Sequence, residues 1–244
     1  MAIWARAARP VTTSIVKRTE PGPAAANRVA VWDFPTRLFH WLLVALIPFS
    51  WWSAEEELVE WHMWSGYAIL ALLLFRLMWG FVGSSTARFA NFVRGPKALV
   101  GYLRDMKGWQ PVGHSPLGAL SVLALLGAVG AMVATGLVQS DDDGLVTGPL
   151  AGLVSYGLSD EAHDWHEDLF NVLLALIGLH IAALAFYWLV LKKWLVGAML
   201  TGKAKLPEST EPMRPGRGWV ALLCLVAAIA LTGWIIAGAP PFGP

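Results

Sequence analysis

The sequence predicts an all-α protein, an integral membrane helix bundle with a four-helix core and a fifth transmembrane helix. Hydrophobic residues make up 56% of the 244 residues and charged residues only 14%, a composition that soluble globular proteins rarely have. Apolar runs of about 20 residues, the length that crosses a bilayer as a helix, recur along the chain. These observations exclude a soluble domain as the main architecture.

Five segments are predicted to span the membrane, and the loops between them differ in charge. The spans cover residues 37–53, 62–81, 117–138, 166–191 and 219–237. They alternate with an acidic hairpin, a basic stretch, an acidic stretch and a basic linker, at residues 54–61, 83–116, 139–165 and 192–218. We therefore divide the chain into a leader, a four-helix core, and a linker with the fifth helix, at residues 1–30, 31–205 and 206–244.

The distribution of lysine and arginine predicts the orientation in the membrane. These residues concentrate in the leader, the basic stretch and the basic linker, and both acidic loops lack them. Because positively charged loops stay on the cytoplasmic side, we expect the amino terminus inside and the carboxyl terminus in the periplasm. The leader has no apolar core of signal-peptide length, so we expect it to remain as a cytoplasmic segment. The predicted location is the bacterial inner membrane, with membrane lipid around the helices.

Four of the six histidines fall in or at the ends of predicted spans: His40, His62, His166 and His180. Ionisable side chains at membrane depth are costly and are usually functional. His180 follows His166 by fourteen residues, almost four helical turns, so both rings leave one helix face about 21 Å apart. The topology puts His40 near the inner surface and His62 near the outer surface. The histidines therefore pair by depth, His62 with His166 and His40 with His180.

Two imidazoles from different helices, at each of two levels, are what a six-coordinate b-type haem requires. The sequence thus predicts a four-helix di-haem core. An iron with both axial positions filled carries electrons rather than binding a substrate. The chain has one cysteine, Cys224, and no Cys-x-x-Cys-His motif, so the haems would be held non-covalently. A haem-free proton-coupled transporter that uses the same histidines as proton relays is the alternative from another class.

Arg76 and Gly66 extend the predicted site along helix two. Arg76 lies fourteen residues after His62 and shares its face, at the inner level. It either binds a haem propionate or extends to the cytoplasmic headgroups. Gly66 stands one turn after His62 and Gly178 two residues before His180, where the missing side chains would admit a porphyrin edge.

The two remaining histidines each have two interpretations. His163 stands three residues before His166 among acidic residues, which indicates either a surface zinc or copper site or a solvated helix start. His114 precedes Ser115 and Pro116, residue types that cap and open a helix. The alternative for His114 is a role near a quinone or a propionate.

Longer stretches around these residues match a known pattern. They are VWDFPTRLFHWLL around His40, WHMWSGYAILALLLFRLMWG with His62 and Arg76, FVRGPKALVGYLRD and GHSPLG in the basic stretch, and HEDLFNVLLALIGLHIAALAFYWLV from His166. Over about residues 30–205 the chain resembles the prokaryotic cytochrome b561 superfamily, especially its branch of nickel-iron hydrogenase cytochrome b subunits. The resemblance implies two b haems with His40, His62, His166 and His180 as axial ligands. It also implies electron transfer between a periplasmic redox partner and membrane quinone.

Twelve acidic residues are predicted on the periplasmic side: Glu55, Glu56, Glu57, Glu60, Asp141, Asp142, Asp143, Asp160, Glu161, Asp164, Glu167 and Asp168. Acidic residues contribute little to orientation, so topology does not require so many of them. Either they form a merely soluble outer surface, or they steer a basic periplasmic redox protein such as a c-type cytochrome to the outer haem.

The functional prediction is an electron-transfer subunit of an oxidoreductase in a respiratory chain. It would connect the quinone pool with a c-type cytochrome or with a hydrogenase-like subunit of a larger oxidoreductase complex. A quinone-linked superoxide oxidase is the alternative that uses the same haems. The sequence contains no glycine-rich phosphate loop and no nucleic-acid signature, and topology explains its basic loops, so no nucleic acid partner is expected.

Overall fold

The structure is a computed structural model that describes residues 26–109, 112–140, 146–207 and 209–241. Most of the predicted leader lies outside these residues, as do Asp141, Asp142 and Asp143 of the acidic stretch. In chain order the elements are β1 Ala26–Ala30, α1 Phe34–Glu55, α2 Val59–Val82, α3 Phe89–Phe92, α4 Pro96–Arg104, α5 Pro116–Val138, α6 Tyr156–Leu189, α7 Leu195–Thr201, β2 Lys203–Pro207 and α8 Gly218–Ile236, with a 3-10 turn at Ala151–Leu153.

A helix forms at each of the five predicted spans. By length and composition, α2, α5, α6 and α8 are long and apolar enough to cross a membrane. Helix α1 has 22 residues, also the length of a span, but it carries Arg37, His40 and Pro48 and is less apolar. The prediction of an all-α membrane helix bundle is confirmed.

Two predicted helix starts are wrong, because both helices begin earlier in the chain. Helix α6 begins at Tyr156, ten residues before the predicted start, and Ser155 caps it by accepting the Leu158 N–H at 3.4 Å. With 34 residues α6 is about 51 Å long and exceeds the apolar layer of ~30 Å, so its first turns extend beyond the membrane. Helix α2 begins at Val59, which shortens the acidic hairpin to residues 56–58. Helical hydrogen bonding continues here through polar residues that hydropathy assigns to loops.

Helix α2 lies at the centre of the bundle. It packs against α1, α5 and α8, while α5 packs against α6. Ile69 of α2, Val129 of α5 and Leu173 of α6 meet in one buried cluster. Helix α1 reaches α6 through Trp51 and Phe170, whose ring centroids are 5.7 Å apart. Helices α1, α2, α5 and α6 therefore form the four-helix core, and many large apolar side chains on their outer faces are exposed, as expected for helices in lipid.

Helix α8 is attached to the carboxyl-terminal half of α2 through small side chains. Cys224 and Ala228 of α8 are buried in a cluster with Phe39, Phe75 and Trp79. The opposite face of α8 exposes leucine and isoleucine side chains. The fifth helix is thus packed against the core and is not a separate unit.

A two-stranded ribbon, which was not predicted, joins the chain before α1 to the linker. Strands β1 and β2 pair antiparallel, with Ala26 opposite Pro207 and Ala30 opposite Lys203. The backbone N–H of Val31 continues the contact by donating to the carbonyl of Gly202 at 2.8 Å. The two strands are separated by almost the whole length of the core, and a local sequence pattern cannot reveal such a pairing.

The basic stretch after α2 contains two short helices: α3 packs against α2, and α4 contacts α5 and the end of α6. Tyr102 of α4 is buried, and its hydroxyl is hydrogen-bonded to the hydroxyl of Tyr187 on α6. The Lys193 ammonium donates to the carbonyls of Met106 and Trp109, at 3.2 and 2.7 Å. These bonds hold the basic stretch at one end of the bundle, beside the site described next.

Candidate functional site

His62 and His166 face each other between α2 and α6. Their ring centroids lie 6.0 Å apart, and the ring planes are inclined by 82°. Both side chains are partly buried. The structure therefore brings together the pair that was predicted at the outer level.

A backbone carbonyl fixes the tautomer of each of these rings. Nδ1 of His62 lies 2.9 Å from the carbonyl oxygen of Ser50, and Nδ1 of His166 lies 3.0 Å from that of Met132. A carbonyl oxygen only accepts, so both Nδ1 atoms carry the proton and donate it. Each Nε2 is left with a free lone pair, which is the form of imidazole that binds a metal. The same hydrogen bonds restrict the rotation of the rings.

His40 of α1 and His180 of α6 form the second pair, with weaker anchoring. They are close enough to interact electrostatically, but their rings are not in direct contact among the described residues. Nδ1 of His180 lies 3.3 Å from the Ser121 hydroxyl. Nδ1 of His40 is buried and has no hydrogen-bond partner in the part of the chain that the structure describes. This pair lies on the predicted helices without the carbonyl anchors of the outer pair.

Helix α5 supplies a hydroxyl group to His166 and another to His180, and the sequence interpretation missed both. Ser121 contacts His180, and Thr135 Oγ1 lies 3.1 Å from Nδ1 of His166. Ser121 and Thr135 are fourteen residues apart, the same spacing as His166 and His180 on the antiparallel α6. This equal spacing keeps each set on one helix face and is the signal that could have identified them.

Arg76 is buried near the carboxyl end of α2, with an exposed fraction of 2%. Its guanidinium lies over the ring of Phe89, 4.8 Å from the centroid, and its Nη1 has no hydrogen-bond partner among the described residues. Asp33 interacts with it electrostatically, although the Asp33 oxygens accept from the Thr36 N–H at 2.8 Å and the Trp79 indole at 2.9 Å. The burial argues against the alternative that Arg76 extends to the headgroups. An unpartnered, buried guanidinium donor is suited to bind an anion.

Glycines determine the space around the histidines. A Cβ placed on Gly66 or Gly178 would meet nothing within 4 Å, so both border open space. A Cβ on Gly136 would lie 3.1 Å from Cε1 of His166. Gly136 therefore permits the close approach of the His166 ring to α5, whereas Gly66 and Gly178 leave room beside their helices.

His114 lies next to the inner pair, in the loop before α5. Its ring contacts Trp32 and Phe92, each with a centroid distance of 4.5 Å. Burial, followed by the neighbouring Arg76 and His180, lowers the pKa of His114 to about 3. A neutral His114 therefore forms part of the wall at the inner level, close to Arg76.

The structure also bears on the predicted cap of α5 and on the predicted alternatives for His163. Ser115 caps α5 as predicted, since its hydroxyl accepts the Gly118 N–H at 3.1 Å. His163 pairs with Glu167 at 3.9 Å on the outer side of α6. The described residues contain no group of three His, Cys, Asp or Glu side chains arranged for a metal ion, so they give no support to a zinc or copper site at His163.

Comparison with protein-family models matches residues 31–202 to prokaryotic cytochrome b561. The match covers well over half of the chain. The chain belongs to the prokaryotic cytochrome b561 family. Membership implies a membrane b-type cytochrome that binds haem b and transfers electrons, and it does not single out the hydrogenase-linked branch. Comparison of this cytochrome with curated proteins and with solved structures finds no match.

The residues of this cytochrome fit a haem b group. Both outer imidazoles have a free Nε2, because the carbonyls of Ser50 and Met132 bind Nδ1. Nη1 of Arg76 is a buried donor that the described protein atoms leave without a partner, and Gly66, one turn after His62, borders open space. Nitrogen ligands, a cation for a propionate and room for a ring edge are what a flat, anionic iron macrocycle requires.

Proposed function

We propose that this cytochrome is an electron-transfer subunit of an oxidoreductase that connects a periplasmic redox partner with the quinone pool across the inner membrane. It would bind two haem b groups. His62 and His166 would ligate the one near the periplasm, and His40 and His180 the one near the cytoplasm. The amino terminus would be cytoplasmic and the carboxyl terminus periplasmic, as the distribution of lysine and arginine requires.

The facing rings of His62 and His166 are the observation that carries this proposal. They lie on different helices, 6.0 Å apart, with both Nδ1 atoms held by backbone carbonyls. Two imidazoles in this arrangement would hold one haem iron between them. When bound, haem b would supply reversible one-electron chemistry.

The residues around the two pairs would have different tasks. The carbonyls of Ser50 and Met132 fix the tautomer of the outer imidazoles, orient the rings and make Nε2 a stronger electron donor. Arg76 would bind an anionic group at the inner level and stabilise negative charge there. The buried apolar side chains of Ile69 and Leu173 exclude water between the two levels.

Exposed carboxylates support a basic partner on the periplasmic side. They lie on the turn before His62 and on the first turns of α6 before and after His166, and among the described residues they are Glu55, Glu56, Glu57, Glu60, Asp160, Glu161, Asp164, Glu167 and Asp168. Such a surface favours encounter with a basic c-type cytochrome or with a basic patch on a larger, hydrogenase-like subunit.

Electron transfer from quinol to a c-type cytochrome tests the proposal. We expect a quinol to reduce the purified protein in liposomes, and the reduced protein to pass electrons to externally added, oxidised c-type cytochrome. His62→Ala should block the second step, whereas the nearby His163→Ala should not. The proposal is wrong if quinol does not reduce the b haems and quinone does not oxidise the reduced haems. If superoxide reacts rapidly and cytochrome c does not, the function is that of a quinone-linked superoxide oxidase.

A further inference from the structure

A cavity of about 380 Å³ opens at the basic end of the bundle, outside the histidine pairs. Its walls come from the segment that follows α2, from the loop before α5 and from the linker before α8. Two reciprocal hydrogen bonds join the first and last of these segments: the Ser85 N–H donates to the Arg214 carbonyl, and the Arg214 N–H donates to Ser85 Oγ, both at 3.0 Å. The Asn91 amide also donates to the Ser85 carbonyl at 2.7 Å. The cavity therefore has fixed walls rather than loose surface loops.

Positive charge dominates the lining of this cavity. Three guanidinium groups line it, those of Arg88, Arg94 and Arg214. Among the described residues the one lining carboxylate is that of Glu211, which lies 3.7 Å from Arg214 on the exposed rim. The guanidinium of Arg94 lies over the ring of Trp109 at 5.5 Å, and a stacked guanidinium keeps its in-plane N–H donors available. Because the lining has an excess of two positive charges, the cavity favours an anionic ligand.

Three buried polar atoms in the lining have no partner among the described residues, and one of them is Nδ1 of His114, the histidine next to the inner pair. Thr86 has an exposed fraction of 6%, and its Oγ1 is unpaired. Nε of Arg88 is likewise buried and unpaired. Buried donors without acceptors are unfavourable, so a ligand with several acceptor oxygens would satisfy them. Water could pair with the hydroxyl, but it would not neutralise the guanidinium groups.

We propose that this cavity binds a phosphate-type oxyanion, and that its source is the headgroup of an anionic phospholipid. Phosphate oxygens match guanidinium donors in geometry and charge. The lipid source follows from the surroundings: Phe81 and Val82, at the end of α2 next to the lining segment, expose 73% and 54% of their surface. Acyl chains would cover these side chains while the phosphate occupies the cavity. The site is independent of how many haems the protein binds.

Binding to the haem-loaded protein tests this proposal. We expect inorganic phosphate to bind the detergent-solubilised protein, as measured by calorimetry at constant ionic strength. Native mass spectrometry after extraction from nanodiscs should retain phosphatidylglycerol and not phosphatidylcholine. Binding of phosphate without retention of phosphatidylglycerol would confirm the oxyanion site and show that its ligand is soluble. If the haem-loaded protein binds neither, the proposal is wrong, and the cavity belongs to the cofactor or is functionless.

Matched variants distinguish phosphate binding inside the cavity from nonspecific attraction of phosphate to a basic surface. Arg88→Gln and Thr86→Val should each weaken phosphate binding at least tenfold, and the threonine change leaves the charge unaltered. Arg104→Gln, on the exposed face of α4 and outside the lining, should leave binding unchanged. Equal losses in Arg88→Gln and Arg104→Gln would overturn the proposal. The haem content of each variant, read from its visible spectrum, should stay at the wild-type level.

Discussion

The two histidine pairs differ in how the protein holds their rings, and this difference has an electrochemical consequence. Hydrogen bonds from Nδ1 to the carbonyls of Ser50 and Met132 make His62 and His166 more basic ligands. His180 has only the Ser121 hydroxyl at 3.3 Å as its Nδ1 contact, a weaker interaction. More basic ligands favour the oxidised iron, so we expect the outer site to have the lower reduction potential.

Replacing Arg76 with leucine should lower the potential or the occupancy of the inner site. Under the proposed function the buried guanidinium would stabilise a propionate and the added electron, and leucine would do neither. Loss of about 1.4 kcal/mol corresponds to about 59 mV for a one-electron couple, so a shift of tens of millivolts is expected. Redox titration followed by visible spectroscopy measures it. Arg104→Leu, on the exposed surface of α4, is the control. An unchanged titration at full occupancy would show that Arg76 binds no cofactor group.

At the scale of elements, α5 serves as the support for the histidines of α6. Ser121 and Thr135 repeat the fourteen-residue spacing of His180 and His166, and Gly136 allows the His166 ring to pack against the helix. Because α5 and α6 are adjacent and antiparallel, one face of α5 contacts both levels. The position of α5 therefore affects both sites.

Gly136→Ala should disturb the outer site and leave the inner site intact. The added Cβ would lie 3.1 Å from Cε1 of His166, so the ring must move. Overpacking of this kind typically costs about 1–3 kcal/mol, which corresponds to at least a several-fold loss of haem affinity at that level. Haem content and low-temperature spectra measure the effect. Gly130→Ala is the matched control on the same helix, because its Cβ would make an ordinary contact with Leu73 at 3.7 Å. Equal effects of the two substitutions would contradict the role of Gly136.

Sequence patterns predicted those parts of this architecture that depend on local spacing. Apolar length located the helices, and the fourteen-residue interval placed His166 and His180 on one face. The early start of α6 was not predicted, because its first turns are polar and hydropathy detects only the apolar part of a helix. The β1–β2 ribbon was not predicted, and the burial of Arg76 was left open between two interpretations, because both features depend on distant partners, Phe89 and Asp33 in the case of Arg76.

At the scale of the whole molecule, charge distinguishes the two ends of the bundle. Arg88, Arg94 and Lys193 lie at the end where α2 and α6 finish, and the exposed carboxylates lie where these helices begin. Under the proposed orientation the basic residues would set the topology, and the acidic residues would remain available for a partner. One end would bind anionic lipid and the other a basic protein.

Neutralising the acidic turn before His62 should slow electron transfer with a basic c-type cytochrome. The variant Glu56→Gln, Glu57→Gln, Glu60→Gln removes three exposed carboxylates. We expect a several-fold lower bimolecular rate in stopped-flow mixing, because electrostatic steering weakens. The wild-type rate should also fall as salt approaches 0.1 M, where the screening length is about 10 Å. Asp105→Asn, at the basic end, is the control. A rate that responds to neither salt nor the triple substitution would show that the carboxylates do not dock the partner.

The number of haem b groups per chain, in the wild type and in the four single histidine-to-alanine variants, tests the central claim most directly. Pyridine haemochrome assays with low-temperature spectra supply both the count and the identity of each site. We expect two haems in the wild type and one in each variant. His62→Ala and His166→Ala should lose one spectral component, and His40→Ala and His180→Ala the other. A single haem in the wild type, or loss of the same component in His62→Ala and His180→Ala, would contradict the proposed pairing.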